Sequence, residues 1–155
     1  MISVGVSKLE KTSVFFVEPG AKVNSQYYQE KILDKILLEM HYLSNGDFVF
    51  LQDGARFHTA KTTLEYLEEH CPEFVKPDFW PPNSRDLSVL DFAVWIDFER
   101  KVWENQPHDI ENFKKAIIKE WDAYPQEKIN NSINAFRKRL KCVVEDNGRY
   151  VEHYK

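Results

Sequence analysis

The spacing of apolar residues, broken at a few punctuating positions, divides this chain into short strands followed by helices. Val4–Val6 and Thr12–Val17 are rich in β-branched and aromatic side chains and read as two strands, turned by Leu9-Glu10-Lys11. Glu18-Pro19-Gly20 stops the second, since proline offers no N–H to a ladder and glycine favours turns. Past Asn24, a good helix-capping side chain, Tyr28, Ile32, Ile36 and Met40 recur every fourth residue and predict an amphipathic helix. Asn45-Gly46-Asp47 then turns the chain into Phe48–Gln52. Its apolar residues are consecutive rather than alternate, which predicts a central strand covered on both faces.

Thr59 is placed to cap a helix with Ala60, Leu64, Leu67 and Cys71 on one stripe, and Phe74-Val75 suits a short strand. The proline-rich connection Pro77 to Pro82 leads to a helix from about Ser88 to Glu104. There Asp91 shares a face with Trp95, Phe98 and Val102, opposite Asp97, Arg100, Lys101 and Glu104. Asp109 caps the next helix, with Ile110, Phe113, Ile117 and Trp121 inward. Pro125 opens the last, with Ile129, Ile133, Phe136, Leu140 and Val143 inward. The order β-β-α-β-α-β-α with a helical tail over about 108–145 predicts an α/β fold with at least one parallel crossover. At 155 residues, a single domain spanning 1–155 is expected.

Composition adds exclusions more than identities. No apolar run approaches the ~20 residues of a membrane helix. The N-terminus lacks the basic and long apolar regions of a secretory signal, so an intracellular, non-secreted protein is expected. Cys71 and Cys142, far apart and outside any CxxC pattern, read as reduced buried thiols. A net charge of −4 argues against nucleic-acid binding through bulk positive potential. Even so, Arg137, Lys138, Arg139 and Lys141 cluster, as do Lys114, Lys115 and Lys119. Each group reads either as a solvated helix face or as a phosphate-contacting patch.

Candidate chemistry centres on two aspartates. Asp53 ends an apolar strand, where open α/β sheets carry their sites, although an Asp-Gly turn alone would also place it there. Asp91 interrupts an apolar helical stripe, where a carboxylate needs a cation or donor; the helix dipole of a first turn is the alternative. Paired hard oxygen donors suit magnesium or manganese and phosphoryl transfer. Such a site calls for about three carboxylates, and Asp86 is a candidate third that could equally cap its helix. His58 is placed either to orient a phosphate or water or to bond the helix start, and Arg56 either to pair with Asp53 or to contact phosphate.

Gln52-Asp53-Gly54-Ala55 with His58-Thr59-Ala60, then Trp80-Pro81-Pro82-Asn83-Ser84 with Asp86-Leu87 and Leu90-Asp91, resembles the C-terminal part of the catalytic domain of mariner-type DDE/D transposases. Val14 to Tyr28 and Phe136-Arg137-Lys138-Arg139-Leu140 extend the similarity over nearly the whole chain. The family pattern differs here at Arg56 and at Arg85 and Ser88-Val89, where two prolines are absent.

The resemblance implies a ribonuclease H-like mixed sheet flanked by helices, with a C-terminal helical tail. It also implies catalytic and metal-binding roles for Asp53 and Asp91, as second and third acids of a site for two Mg2+ or Mn2+ ions. DNA cut-and-paste transposition, transposon-end and target DNA as partners, a homodimer and a nuclear location complete what it implies. Arg56, His58, Arg137, Lys138 and Arg139 are the candidate DNA contacts; neither a membrane nor a small-molecule substrate is implied.

The family's first acid lies on a central strand that precedes the segment matched by Met1 to Ser7. The fold is therefore expected to be truncated at its N-terminus, along with the helix-turn-helix domains, and this chain to be catalytically inactive. Without that strand, two apolar edges would be exposed and the chain would fold poorly alone or close the gap irregularly. A host-recruited, non-catalytic DNA- or protein-binding module is the alternative function.

Overall fold

Four short strands carry the sheet pairing. β1 (Ile2–Ser3) runs antiparallel to β2 (Phe15–Phe16), with Ile2 opposite Phe16 and Ser3 opposite Phe15. β3 (Val49–Phe50) runs parallel to β4 (Glu73–Phe74). The computed structural model describes residues 1–81 and 85–146; Pro82, Asn83 and Ser84 of the motif above, and residues 147–155, lie outside the described residues. The chain divides into two compact units. One holds Met1–Gly5 and runs from Leu9 to the proline-rich connection; the other holds Val6–Lys8 and runs from Arg85 onward.

In the first unit, α1 (Ser25–Tyr28) passes through a π-helical turn, Gln29–Leu33, into α2 (Asp34–Ser44). Asn24 caps the start as expected, its side chain accepting from the Tyr27 N–H at 2.8 Å. The predicted stripe of Tyr28, Ile32, Ile36 and Met40 is buried, joined by Leu33 and Leu37. Left-handed Asn45 (φ 54°) and Gly46 (φ 80°) end the helix. Phe48, Phe50 and Phe74 pack against this helical core, and α3 (Lys61–His70) adds buried Leu67. Because β3 and β4 are parallel, α3 is the helical crossover between them.

Three expectations change here. The strands are displaced or shorter than predicted: β1 falls at Ile2–Ser3, before the expected Val4–Val6, β4 begins one residue early, and β2 and β3 keep two residues each, although antiparallel pairing continues beyond β1 through Thr12 N–H to Gly5 C=O at 2.9 Å. β3 is not covered on both faces: Phe48 and Phe50 are half-buried, while Val49 is 58% and Leu51 38% exposed. Run composition cannot reveal this, because apolar residues on successive positions look alike whether or not a second layer covers them. Thirdly, α3 starts after Ala60, not at a Thr59 cap; the Thr59 N–H instead joins a turn by bonding Ala55 C=O at 3.0 Å. Among the described residues, the pairing forms two separate two-stranded sheets.

The second unit is helical. A π-helical turn, Leu90–Val94, leads into α4 (Trp95–Glu104), followed by α5 (Ile110–Asp122) and α6 (Gln126–Glu145). Aromatic rings form its core: Trp121 meets Phe98 edge to face at 5.5 Å, and both adjoin Tyr124. The buried stripe of the first helical segment is Val94, Phe98 and Val102. Asp109 caps α5 as expected, accepting from the Asn112 N–H at 2.7 Å. Ile110, expected inward, is 70% exposed, since the first helical residue lies beyond the packed stripe that begins with Phe113. Leu140, likewise expected inward, is exposed, whereas Ile129 and Val143 are buried.

Candidate functional site

Asp53 follows β3 directly, and its own side chain shapes the turn. Oδ1 accepts from the Ala55 N–H at 2.9 Å, the side-chain turn that aspartate forms readily. Gly54 takes no left-handed φ, and a Cβ there would meet nothing within 4 Å. The turn therefore rests on the carboxylate rather than on glycine's conformational freedom.

The same Oδ1 accepts from His58 Nδ1 at 2.5 Å. The His58 side chain is only 16% exposed, wedged between the rings of Tyr28 (4.5 Å between centroids) and Phe57 (4.4 Å). Asp53 remains 53% exposed. The His58 hydrogen bond, aided by the Ala55 N–H, holds the Asp53 carboxyl below the usual carboxylate range despite partial desolvation. Both bonds fall on Oδ1, so Oδ2 has no hydrogen-bond partner among the described residues.

A supporting chain fixes this loop. The buried Tyr28 hydroxyl donates to Gln52 Oε1 at 3.0 Å, and Gln52 Nε2 donates to the His58 carbonyl at 3.0 Å. Burial, and then the Asp53 charge, push the Tyr28 phenol up, so it stays a neutral donor. Gln29 Nε2 donates to Thr63 Oγ1, and that hydroxyl donates to the Phe57 carbonyl at 2.8 Å. Helical periodicity places Tyr28 in the core and says nothing of its hydroxyl. That hydroxyl is the signal, because a buried tyrosine needs a polar partner and Gln52 stands next to the acid. Arg56 is exposed and forms no ion pair among the described residues; His58, not Arg56, partners Asp53.

Asp91 belongs to the second unit. It lies half-buried in the π-helical turn, its N–H donating to Ser88 C=O at 3.0 Å. Such wide turns are frequent at functional sites. Asp86, the candidate third acid, is buried, and its carbonyl accepts from Arg139 Nη1 at 3.1 Å. The Arg139 guanidinium stands 4.0 Å over the Phe92 ring. Arg137 and Lys138 are exposed on α6. Among the described residues, no group of three or more His, Cys, Asp or Glu side chains is arranged to hold a metal ion.

No protein-family model matches the chain. The Tc1 transposable-element transposase of Caenorhabditis elegans is 24% identical over 107 residues, 69% of this chain and 37% of that protein. The histone-lysine N-methyltransferase SETMAR of Homo sapiens is 26% identical over 141 residues, 88% of this chain and 20% of that protein. The chain thus spans well under half the length of these curated relatives. In three dimensions it matches the catalytic domain of Mos1 mariner transposase, solved with raltegravir and Mn, with a TM-score of 0.82 and 22% identity over 97% of this chain and 76% of that one. It matches the Mos1 paired-end complex with the left transposon end equally, over 44% of that chain. The chain therefore shares the fold of the Mos1 catalytic domain, the fold that the motif resemblance leads one to expect.

Proposed function

We propose that this chain is a transposase-derived domain of a DNA cut-and-paste family, with Asp53 and Asp91 as carboxylate ligands for Mg2+ or Mn2+. The observation that carries this reading is the match of 97% of the chain to the Mos1 catalytic domain, together with an acid in each of the two motif blocks. Asp53 fits a hard cation in kind: an exposed, ionised carboxylate with one oxygen uncommitted among the described residues. When bound, such ions neutralise phosphate charge and generate an attacking oxygen. The chain's own contribution is orientation: His58 and the Ala55 N–H hold one Asp53 oxygen, and the Tyr28–Gln52 pair holds the loop.

Two carboxylates fall short of the three such chemistry needs. By itself the chain binds metal weakly and does not cleave DNA: Asp86 is buried and joins no metal-holding group among the described residues, so the third carboxylate is sought in a partner or outside those residues. Titration calorimetry with Mn2+ tests the ligand assignment. Weak binding lost in Asp53→Ala or Asp91→Ala is expected, and binding indifferent to both substitutions refutes it. A nicking assay on supercoiled DNA tests inactivity: metal-dependent nicking abolished by either substitution would restore the enzyme.

The exposed Arg137 and Lys138 on α6 favour a second reading, a recruited DNA-binding module. Salt-sensitive DNA retention without metal or cleavage, lost when both residues become Ala, would support it.

A further inference from the structure

Arg139 stands beside exposed Arg137 and Lys138 in sequence but is engaged differently. Its guanidinium carbon lies 4.0 Å from the centre of the Phe92 ring, the residue directly after Asp91. Its Nη1 donates to the Asp86 carbonyl at 3.1 Å. Between these two points the chain is irregular. The Asp91 and Phe92 N–H groups both converge on Ser88 C=O at 3.0 Å, and the π-helical turn begins at Leu90. Leu87 is fully buried within the segment, and Val94 is fully buried just beyond it, so packing anchors the chain on either side of Asp91. Asp86 is itself buried, and its carbonyl takes one donor from Arg139.

A guanidinium makes both contacts at once, stacking through its face and donating from its edge; an ammonium is a point charge that cannot do both. We propose that Arg139 is a positioning residue: from α6 it grips the Asp86–Phe92 segment at both ends and thereby sets where the Asp91 carboxylate stands. Its functional meaning rests on the reading of Asp91 as a metal ligand, while the grip itself does not. Arg139 accordingly leaves the DNA-contacting patch, and Arg137 and Lys138 remain as its exposed members.

Amide hydrogen exchange on the whole chain tests the grip. Arg139→Ala should speed exchange at Asp91, Phe92 and the rest of the π-helical turn by about tenfold, the loss expected for one stacked, charged hydrogen bond. Amides of the α5 core around Ile117 and Trp121 should be unchanged, and Arg137→Ala with Lys138→Ala should leave the segment protected. Arg139→Lys, the variant to use if Arg139→Ala fails to fold, should also speed exchange there. Wild-type protection in Arg139→Lys, or acceleration spread evenly over the second unit, overturns the proposal. Paramagnetic broadening by Mn2+ then separates the two levels. Broadening at Asp91 that weakens in Arg139→Lys supports positioning of a ligand. Its absence in the wild type removes the metal reading and leaves the exchange result to decide the grip.

Discussion

Asp53 carries most of the local chemistry and can be interrogated directly. Its carboxyl is held below the ordinary carboxylate range chiefly by the His58 hydrogen bond. A depressed folded-state value stabilises the fold above the unfolded value, and the contribution disappears as pH falls through the folded one. The affected window is therefore acidic, beneath the ordinary carboxylate value. In His58→Phe, the Asp53 side-chain carbon resonance should titrate at higher pH than in the wild type, and acid unfolding should begin earlier. An unchanged Asp53 midpoint would mean that His58 does not set it. Asp53 itself was legible because an acid after an apolar run is a recognisable pattern. The Tyr28–Gln52–His58 chain was not, because it joins residues far apart in sequence whose meeting depends on the packed core.

At the scale of elements, helix starts were the most readable features, because a cap is a local transaction between one side chain and N–H groups two or three residues on. Asn24 and Asp109 both cap as their positions suggest. Asp109 makes two bonds, to the Asn112 N–H and to Asn112 Nδ2, each at 2.7 Å. Asp109→Ala should cost about 1 kcal/mol, read as a lower denaturant midpoint at unchanged slope, with exchange rising mainly in the first turn of α5. A loss spread over α4 and α6 would contradict a local cap.

Thr59 failed as a cap because its hydroxyl turns back to the Ala55 carbonyl, at 3.4 Å, instead of accepting from N–H groups further along the chain. The π-helical turns were unreadable for another reason. One extra residue in the turn Leu90–Val94 slips the register there: Phe98 and Val102 are buried as expected, but Val94 joins them while Asp91 and Trp95 are only half-buried. Sequence periodicity assumes a constant 3.6 residues per turn and cannot locate that slip.

For the whole molecule, the informative quantity is what the strands leave unmatched. Among the described residues, β3 pairs with β4 alone, and β1 with β2 alone. Val49 and Leu51 expose apolar side chains on β3, while Phe48 and Phe50 turn to the core. An exposed apolar strand with an open hydrogen-bonding edge is a template for another strand. Self-association growing with concentration is therefore expected of this chain. Val49→Lys combined with Leu51→Lys should suppress it, because lysine on an edge disfavours pairing and neither position contributes to the helical core. Sedimentation velocity over a concentration series, with circular dichroism to confirm the fold, makes the measurement. A wild type that stays monomeric throughout would show that this strand is not a pairing edge. Association persisting in the double variant would move the contact elsewhere, for instance to the exposed Ile96 and Trp103, which lie two helical turns apart on α4.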